Sequence, residues 1–507
     1  MTARELLEFR ARHRLSQTQL CALIGLELSD RRTVTRMEEG RARLTPAQER
    51  ALMLWEAERE TDDREAMRHD LHRHVHRALE GRLDRGLARR LLGLCRLRQL
   101  VGRRHRVVRL RVLVRALEEA RDAVRRFFNA PEDEFEIVFT ANASGALKLV
   151  GEAYPFGPGS IYLLSYDNHN SVNGIREFAV RREATVSYIP VREQDLRLDP
   201  AQVSAALRGA GGGGPRLFAY PAQSNFSGVQ HPLDWVTEAR GLGWDVILDC
   251  AAFAPTNPVD ASAIGADFIP ISFYKLFGYP TGAGCLIARR EALARLRRPW
   301  FAGGTITFAS VQEEEWYRLA PGATGFEDGT IDYLGLPAVT VGIKHLERVG
   351  LGLIHERVLA LTGWLLEELT ALRHSDGTPL VRVFGPRDLD RRGATVALYL
   401  VAPDGQPYDV YEVERRAAEA RISVRSGCFC NPGDGEVAHR ITRDEMEPCF
   451  EDPTATVTLL QCQQAIADAT GKVPNTIRVS LGLVSDFGDA YRFLAFAASY
   501  RDRPAER

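Results

Sequence analysis

The sequence predicts an α/β protein, with a parallel or mixed sheet covered on both faces, a smaller α+β unit after it and an all-α unit before it. Three observations predict this. After residue 130 short apolar runs alternate with helical patterns: EIVFT, SGALKLVGEAY, SIYLLSY, RLFAYPA, DVILDC and DFIPIS. From about 335 long amphipathic stretches such as VTVGIKHLERVGL and VLALTGWLLEELTALR take over, followed by strand-like TVALYLV and RISVRSG. Residues 5–58 read instead as short helices with tight connections. A chain of 507 residues exceeds one ordinary core. The expected division is 1–60, 61–118, 119–334 and 335–500.

The first unit reads as ELLEFRARH, SQTQLCALIGL, SDRRTVTRMEEG and TPAQERALMLWEAE. Ser16, Ser29 or Asp30, and Thr45 can cap helix starts, and Gly40 can end the third helix. With its Leu-Ser-Gln opening, its Ile24-Gly25 turn and TVTRMEEG, this stretch resembles the helix-turn-helix domain of the Cro/repressor family. The resemblance places Arg31, Arg32, Thr33, Thr35 and Arg36 on or near a recognition helix that reaches DNA. A helical dimerisation or docking module is the other reading. Between 62 and 115 arginine, histidine, leucine, valine and glycine dominate, and lysine, isoleucine, asparagine, proline and serine are absent. A solvated basic linker, a nucleic-acid-binding extension and a stretch translated out of frame all fit that composition.

Hydrophobic residues make up 45 % and charged residues 26 % of the chain, which excludes wholesale disorder, and a net charge of -1 excludes a polyelectrolyte. The N-terminus lacks the apolar core of a secretory signal, and no apolar run approaches the ~20 residues that cross a bilayer. The expectation is a cytoplasmic protein that leaves membranes alone. Eight scattered cysteines suggest free thiols rather than a disulfide framework, with Cys428 and Cys430 as one close pair. No set of ligands spaced for a metal accompanies that pair.

The chemistry-bearing segments follow in order. FTANASGALKL turns from a strand end through Ala143, Ser144 and Gly145 into a helix, whose free N–H groups suit an anion such as phosphate. A capped surface helix is the bland alternative. In YDNHNSVNGIRE, His169 follows a strand; FAYPAQSNFSG places Asn225 just past another. DVILDC ends a buried strand on Asp249, a carboxylate that needs a positive partner. DFIPIS leads through Phe273 and Tyr274 into Lys275 and a glycine-rich loop, at the strand end where ligands bind in α/β sheets. There a deprotonated lysine amine can attack an aldehyde.

With FTANASGALKLVGEAYPF, DNHNSV, PAQSNFSG, SFYKLFGYPTGAG, FAGGT, FEDGT, RSGCFCNPG and IRVSLG in this order, the chain from about 120 to 495 resembles the class V aminotransferase and cysteine desulfurase family. Within it the likeness is greatest to the desulfurase domain of molybdenum cofactor sulfurase. The resemblance implies fold-type I and pyridoxal phosphate as cofactor, held as a Schiff base by Lys275. It implies that Ala143, Ser144 and Ser272 contact the phosphate, His169 stacks on the ring, Asp249 pairs with the ring nitrogen, and Asn225 faces cofactor and substrate. Thr305 and Thr330, in GGT and DGT, would approach the neighbouring site of a homodimer. Arg478 would bind the substrate carboxylate. Alignment on Arg425 and Gly427 makes Cys430 the nucleophile and Cys428 an auxiliary thiol.

The implied reaction takes sulfur from L-cysteine onto Cys430 and on to an acceptor that the sequence does not name. Arg425 and His169 would supply positive charge for the thiolate. The family's Leu-Asp-His-Ala-Gly and Gly-Asn-Pro-His-Ser elements are absent, and the arginine-rich block stands in their place. Part of the active-site rim is therefore expected to differ. The sulfurase's carboxy-terminal domain is expected to be missing as well. Two other functions fit the segments: a C–S or selenocysteine lyase or aminotransferase, and a DNA-binding regulator that uses the cofactor fold as its sensor.

Overall fold

The first described helix, α1 (Arg106–Phe127), runs without a break through the expected boundary at 118. In the computed structural model the described residues are 106–209, 211–451, 457–472 and 474–505. The helix-turn-helix reading, with Arg31, Arg32, Thr33, Thr35 and Arg36, lies outside them, as does most of 61–118.

Seven strands follow: β1 (Phe135–Thr140), β2 (Ile161–Ser165), β3 (Thr185–Ile189), β4 (Arg216–Pro221), β5 (Asp245–Asp249), β6 (Phe268–Ser272) and β7 (Gly284–Arg289). They form one sheet in the order β1-β7-β6-β5-β4-β2-β3. Pairing is parallel from β6 through to β3, and β7 runs antiparallel to both its neighbours. Because successive side chains of a strand point to opposite faces, each apolar run feeds two cores. Ile161, Leu163, Phe218, Tyr220, Val246 and Leu248 pack into one core, and Tyr162, Leu164, Leu217, Ala219 and Ile247 into the other. Burial of each such side chain contributes about 1.5–3 kcal/mol. That is why these runs are continuously apolar rather than alternating.

A second sheet, in the order β10-β11-β13-β12, is antiparallel throughout. It comprises β10 (Val381–Phe384), β11 (Thr395–Leu400), β12 (Arg425–Gly427) and β13 (Thr476–Ser480), after a small ribbon of β8 (Ile306–Ala309) and β9 (Tyr317–Leu319). Among the described residues no single helix is long and apolar enough to cross a membrane. The expectation of free thiols needs one correction: Cys449 and Cys462 form a disulfide, their Cα atoms 5.5 Å apart, while Cys250, Cys285, Cys428 and Cys430 are free. Cysteine spacing carries no information about that approach, which is made when a short turn packs beside the helix Leu459–Thr470.

Candidate active site

At the carboxyl ends of β1, β4, β5 and β6 lies a cleft of about 640 Å³, part of it open to solvent. Ligands bind at this edge because parallel strands all end there and their following loops converge. Its lining includes Ala143, Ser144, His169, Asn225, Asp249, Ser272 and Lys275, so seven residues expected from separate segments are brought together.

One end is built for an anion. The helix α2 (Ala143–Ala153) begins in the cleft with Asn142 as its cap, Oδ1 accepting the Gly145 amide at 2.9 Å. The Ala143 amide donates to Ser272 Oγ at 2.9 Å, and Ser144 and Ser171 join hydroxyls at 2.6 Å. Ala143 therefore orients Ser272 and has its own amide engaged, whereas the hydroxyls of Ser144, Ser171 and Ser272 retain bonding capacity. Ser171 and Asn142 carry no family-like signal in isolation. Only the short helix α3 (Asn170–Asn173) folding back towards α2 makes Ser171 part of the site.

Asp249 ends β5, buried, with Oδ1 accepting the Ala251 amide at 2.9 Å. Lys275 lies in α4 (Phe273–Phe277), the short helix after β6. Solvent reaches it through the cleft, yet protein surrounds it. That burial lowers its amine pKa, Asp249 opposes the shift, and Arg478 adds to it. His169 is half-buried, and its Nδ1 accepts the Ser171 amide at 3.1 Å, so a neutral ring carries its proton on Nε2. Burial lowers its pKa; Asp249 opposes this, and Lys275, Arg425 and Arg478 reinforce it. Burial thus works against the positive charge that the sequence reading gave His169. A neutral imidazole can stack on a ring.

Cys430 arrives from the other sheet. Its carbonyl accepts the Asn170 amide at 2.7 Å, next to His169, and the carbonyl of Phe429 accepts Asn225 Nδ2 at 2.7 Å. Arg478 donates from one guanidinium nitrogen to the Asn225 carbonyl at 2.9 Å and lies over the Phe429 ring, 4.7 Å from its centroid. Its Nε is buried without a partner among the described residues. Burial, and then Arg425, lower its pKa to about 10. Arg425 pairs with Arg478 across β12 and β13, an opposition of like charges that favours an anion nearby. The donor set fits pyridoxal phosphate: hydroxyls at a helix N-terminus for the phosphate, a carboxylate for the ring nitrogen, and an amine for the aldehyde.

Thr305 and Thr330 do not line this cleft. Thr305 is buried in a turn with Ala302 (Oγ1 to O, 2.9 Å), and Thr330 is exposed. Their segments nevertheless touch, since a Cβ on Gly304 would come 3.1 Å from the Gly329 carbonyl. Two ion pairs hold the second segment: Arg121 with Glu327 at 2.8 Å and Arg298 with Asp328 at 2.7 Å.

Residues 99–492 match the family described as Aminotransferase class-V. The molybdenum cofactor sulfurase of Bos taurus is 34% identical over 405 residues, covering 76% of this chain and 45% of that protein. That of Arabidopsis thaliana is 32% identical over 435 residues, covering 77% and 51%. The chain thus spans about half the length of these relatives. A cysteine desulfurase from Thermococcus onnurineus NA1, 24% identical, shares the fold with a TM-score of 0.61 over 77% of this chain and 84% of that one. On the match over most of its described length, the chain belongs to the class-V aminotransferase family.

Proposed function

We propose that the chain binds pyridoxal phosphate in this cleft and acts as a cysteine desulfurase, moving sulfur from L-cysteine to Cys430 and then to an acceptor. The observation that carries the reading is the docking of the Cys430 loop beside His169 and Asn225, both of which line the cleft that holds Lys275. A plain aminotransferase needs no such thiol.

Ser144, Ser171 and Ser272 would hold the phosphate, Asp249 the ring nitrogen, His169 the ring face and Lys275 the aldehyde. Bound there, the cofactor supplies an electron sink that acidifies the Cα–H of an amino acid. Arg478, with its unpartnered Nε, clamps the substrate carboxylate and fixes which bonds face Lys275. The lowered pKa of Lys275 leaves its amine free to take the Cα proton. The Cys430 thiolate attacks the substrate sulfur: an S–S bond forms, the Cβ–S bond breaks, Cβ gains a proton, and Lys275 returns the Cα proton to leave alanine. The products are alanine and a Cys430 persulfide, with every atom of cysteine accounted for.

The acceptor is a molybdenum cofactor, a sulfur carrier or a biosynthetic intermediate, and a reactive thiol of this kind suits the reducing cytoplasm. A homodimer is part of the proposal. Trp300, Phe308, Val311 and Trp316 are exposed around the segments that carry Thr305 and Thr330, and such patches mark interfaces.

The test is mass spectrometry after incubation with L-cysteine. Cys430 is expected to gain about 32 daltons, one sulfur atom. Cys430→Ser is expected to retain the cofactor absorbance near about 420 nm and to lose both the adduct and alanine release. Full turnover by Cys430→Ser would instead support a lyase.

A further inference from the structure

The loop carrying Cys430 does not hold its own shape. Gly427, Phe429 and Cys430 all have positive φ (114°, 56° and 57°), and side chains with a Cβ adopt this region only when their surroundings impose it. Next comes Asn431, 0% exposed, which caps the helix α5 (Pro432–His439) by accepting the Asp434 amide at 3.2 Å. Its Nδ2 donates to the Asp167 carbonyl at 2.8 Å. In the first turn of α5, Asp434 Oδ2 accepts the Ser224 hydroxyl at 2.6 Å. Ser224 also receives the amides of Phe226 and Ser227 at 3.1 and 3.2 Å, so its proton is the one shared with Asp434. Behind them Asp167 Oδ2 meets His231 Nε2 at 2.6 Å, and Asp167 Oδ1 accepts the Ser165 hydroxyl at 2.7 Å. Asp167 and Asp434 are both 0% exposed. None of these side chains takes part in the chemistry above.

We infer that Asn431 and Asp434 are positioning residues for sulfur transfer: they tie the Cys430 loop of the smaller sheet to the large one, Asn431 at the Asp167 carbonyl beyond the end of β2 and Asp434 at Ser224 beyond the end of β4. The inference rests on the desulfurase reading. Contacts between the two sheets here join residues more than 200 positions apart, so loop placement depends on them. Burial, and then Asp167, push the Asp434 carboxyl well above its usual range. A neutral Asp434 accepts from Ser224 without setting two anions side by side, and an amide of the same shape can do the same.

The experiment uses full-length holoenzyme carrying Asn431→Ala, Asp434→Ala or Asp434→Asn. Single-turnover persulfide formation, KM for L-cysteine, the cofactor spectrum and the rate of Cys430 alkylation by iodoacetamide are measured. Both alanine variants are expected to slow persulfide formation about tenfold or more, with KM and spectrum unchanged and alkylation altered. Asp434→Asn is expected to stay within about threefold of the unmodified enzyme. Where Asn431→Ala fails to fold, Asn431→Asp keeps the shape and removes the donor, and the same slowing is expected. Unaltered persulfide rates in the alanine variants would overturn the inference, and so would a parallel loss of cofactor spectrum and rate that Asp434→Asn does not relieve. If the unmodified enzyme forms no persulfide, the desulfurase reading falls, and unchanged alkylation in the variants then overturns the positioning role as well.

Discussion

Lys275, Asp249 and His169 owe their chemistry to where burial puts them. Burial disfavours the charged forms of Lys275 and His169 alike, and for His169 the neighbouring basic groups add to the effect. His439 shows the same physics away from the cleft. It lies against Phe384 and Tyr399, bonded to Tyr399 and Thr476, and burial, then Arg382, push its pKa down to about 3. Unfolded, it titrates near ~6.5. Between these values the unfolded chain binds the extra proton, so stability is full above ~6.5 and is lost as pH falls towards 3, by up to ~1.4 kcal/mol per pH unit. Asp267, raised to about 6, has the opposite sign: its contribution is lost as pH rises from ~3.8 towards 6. His439→Gln removes the first effect and leaves the second. Its melting temperature is expected to fall less steeply than the parent's between pH 6 and 4, and parallel acid limbs would contradict this assignment.

Among the elements, the turn from β1 into α2 depends on one close approach. A Cβ on Gly284 of β7 would sit 2.5 Å from the Ile271 carbonyl and 2.7 Å from Asn142 Cα. Backbone cannot yield there cheaply, so Gly284→Ala is expected to displace the Asn142 cap and the hydroxyls beside it. Cofactor content measured by absorbance should drop several-fold, and stability should fall by about 1–3 kcal/mol. Normal cofactor loading would show that the turn tolerates the shift. The strand-turn-helix pattern around Ser144 is legible in sequence because a short apolar run and a helix cap are both local signals. The close approach of Gly284 is not legible, since β1 and β7 are neighbours in space but about 145 residues apart in the chain.

For the whole molecule, the central question is assembly. Thr305 and Thr330 stand outside the cleft of their own chain, the first buried and the second exposed, in segments flanked by exposed aromatic side chains. A homodimer across that surface is expected in light scattering. Trp300→Asp combined with Phe308→Asp should give a monomer that holds cofactor less tightly. A parent protein that is already monomeric with full cofactor content would dismiss the proposal. The ion pairs Arg121–Glu327 and Arg298–Asp328 stiffen this surface, and losing one buried partner costs about 3–5 kcal/mol.

Read alone, the sequence determined the α/β class, the strand ends carrying Asp249 and Lys275, and the pairing of a lysine with a later cysteine, because each rests on short-range periodicity or on motifs in order. Tertiary structure alone decided that burial works against a charge on His169, that the Ala143 amide is spent on Ser272, and that Cys449 meets Cys462. It also decided that the segment after Cys430 is bonded to Asp167 and Ser224 through Asn431 and Asp434. These are contacts between segments distant in the chain, or electrostatic effects of burial. Both arise only when the two sheets pack together and exclude water.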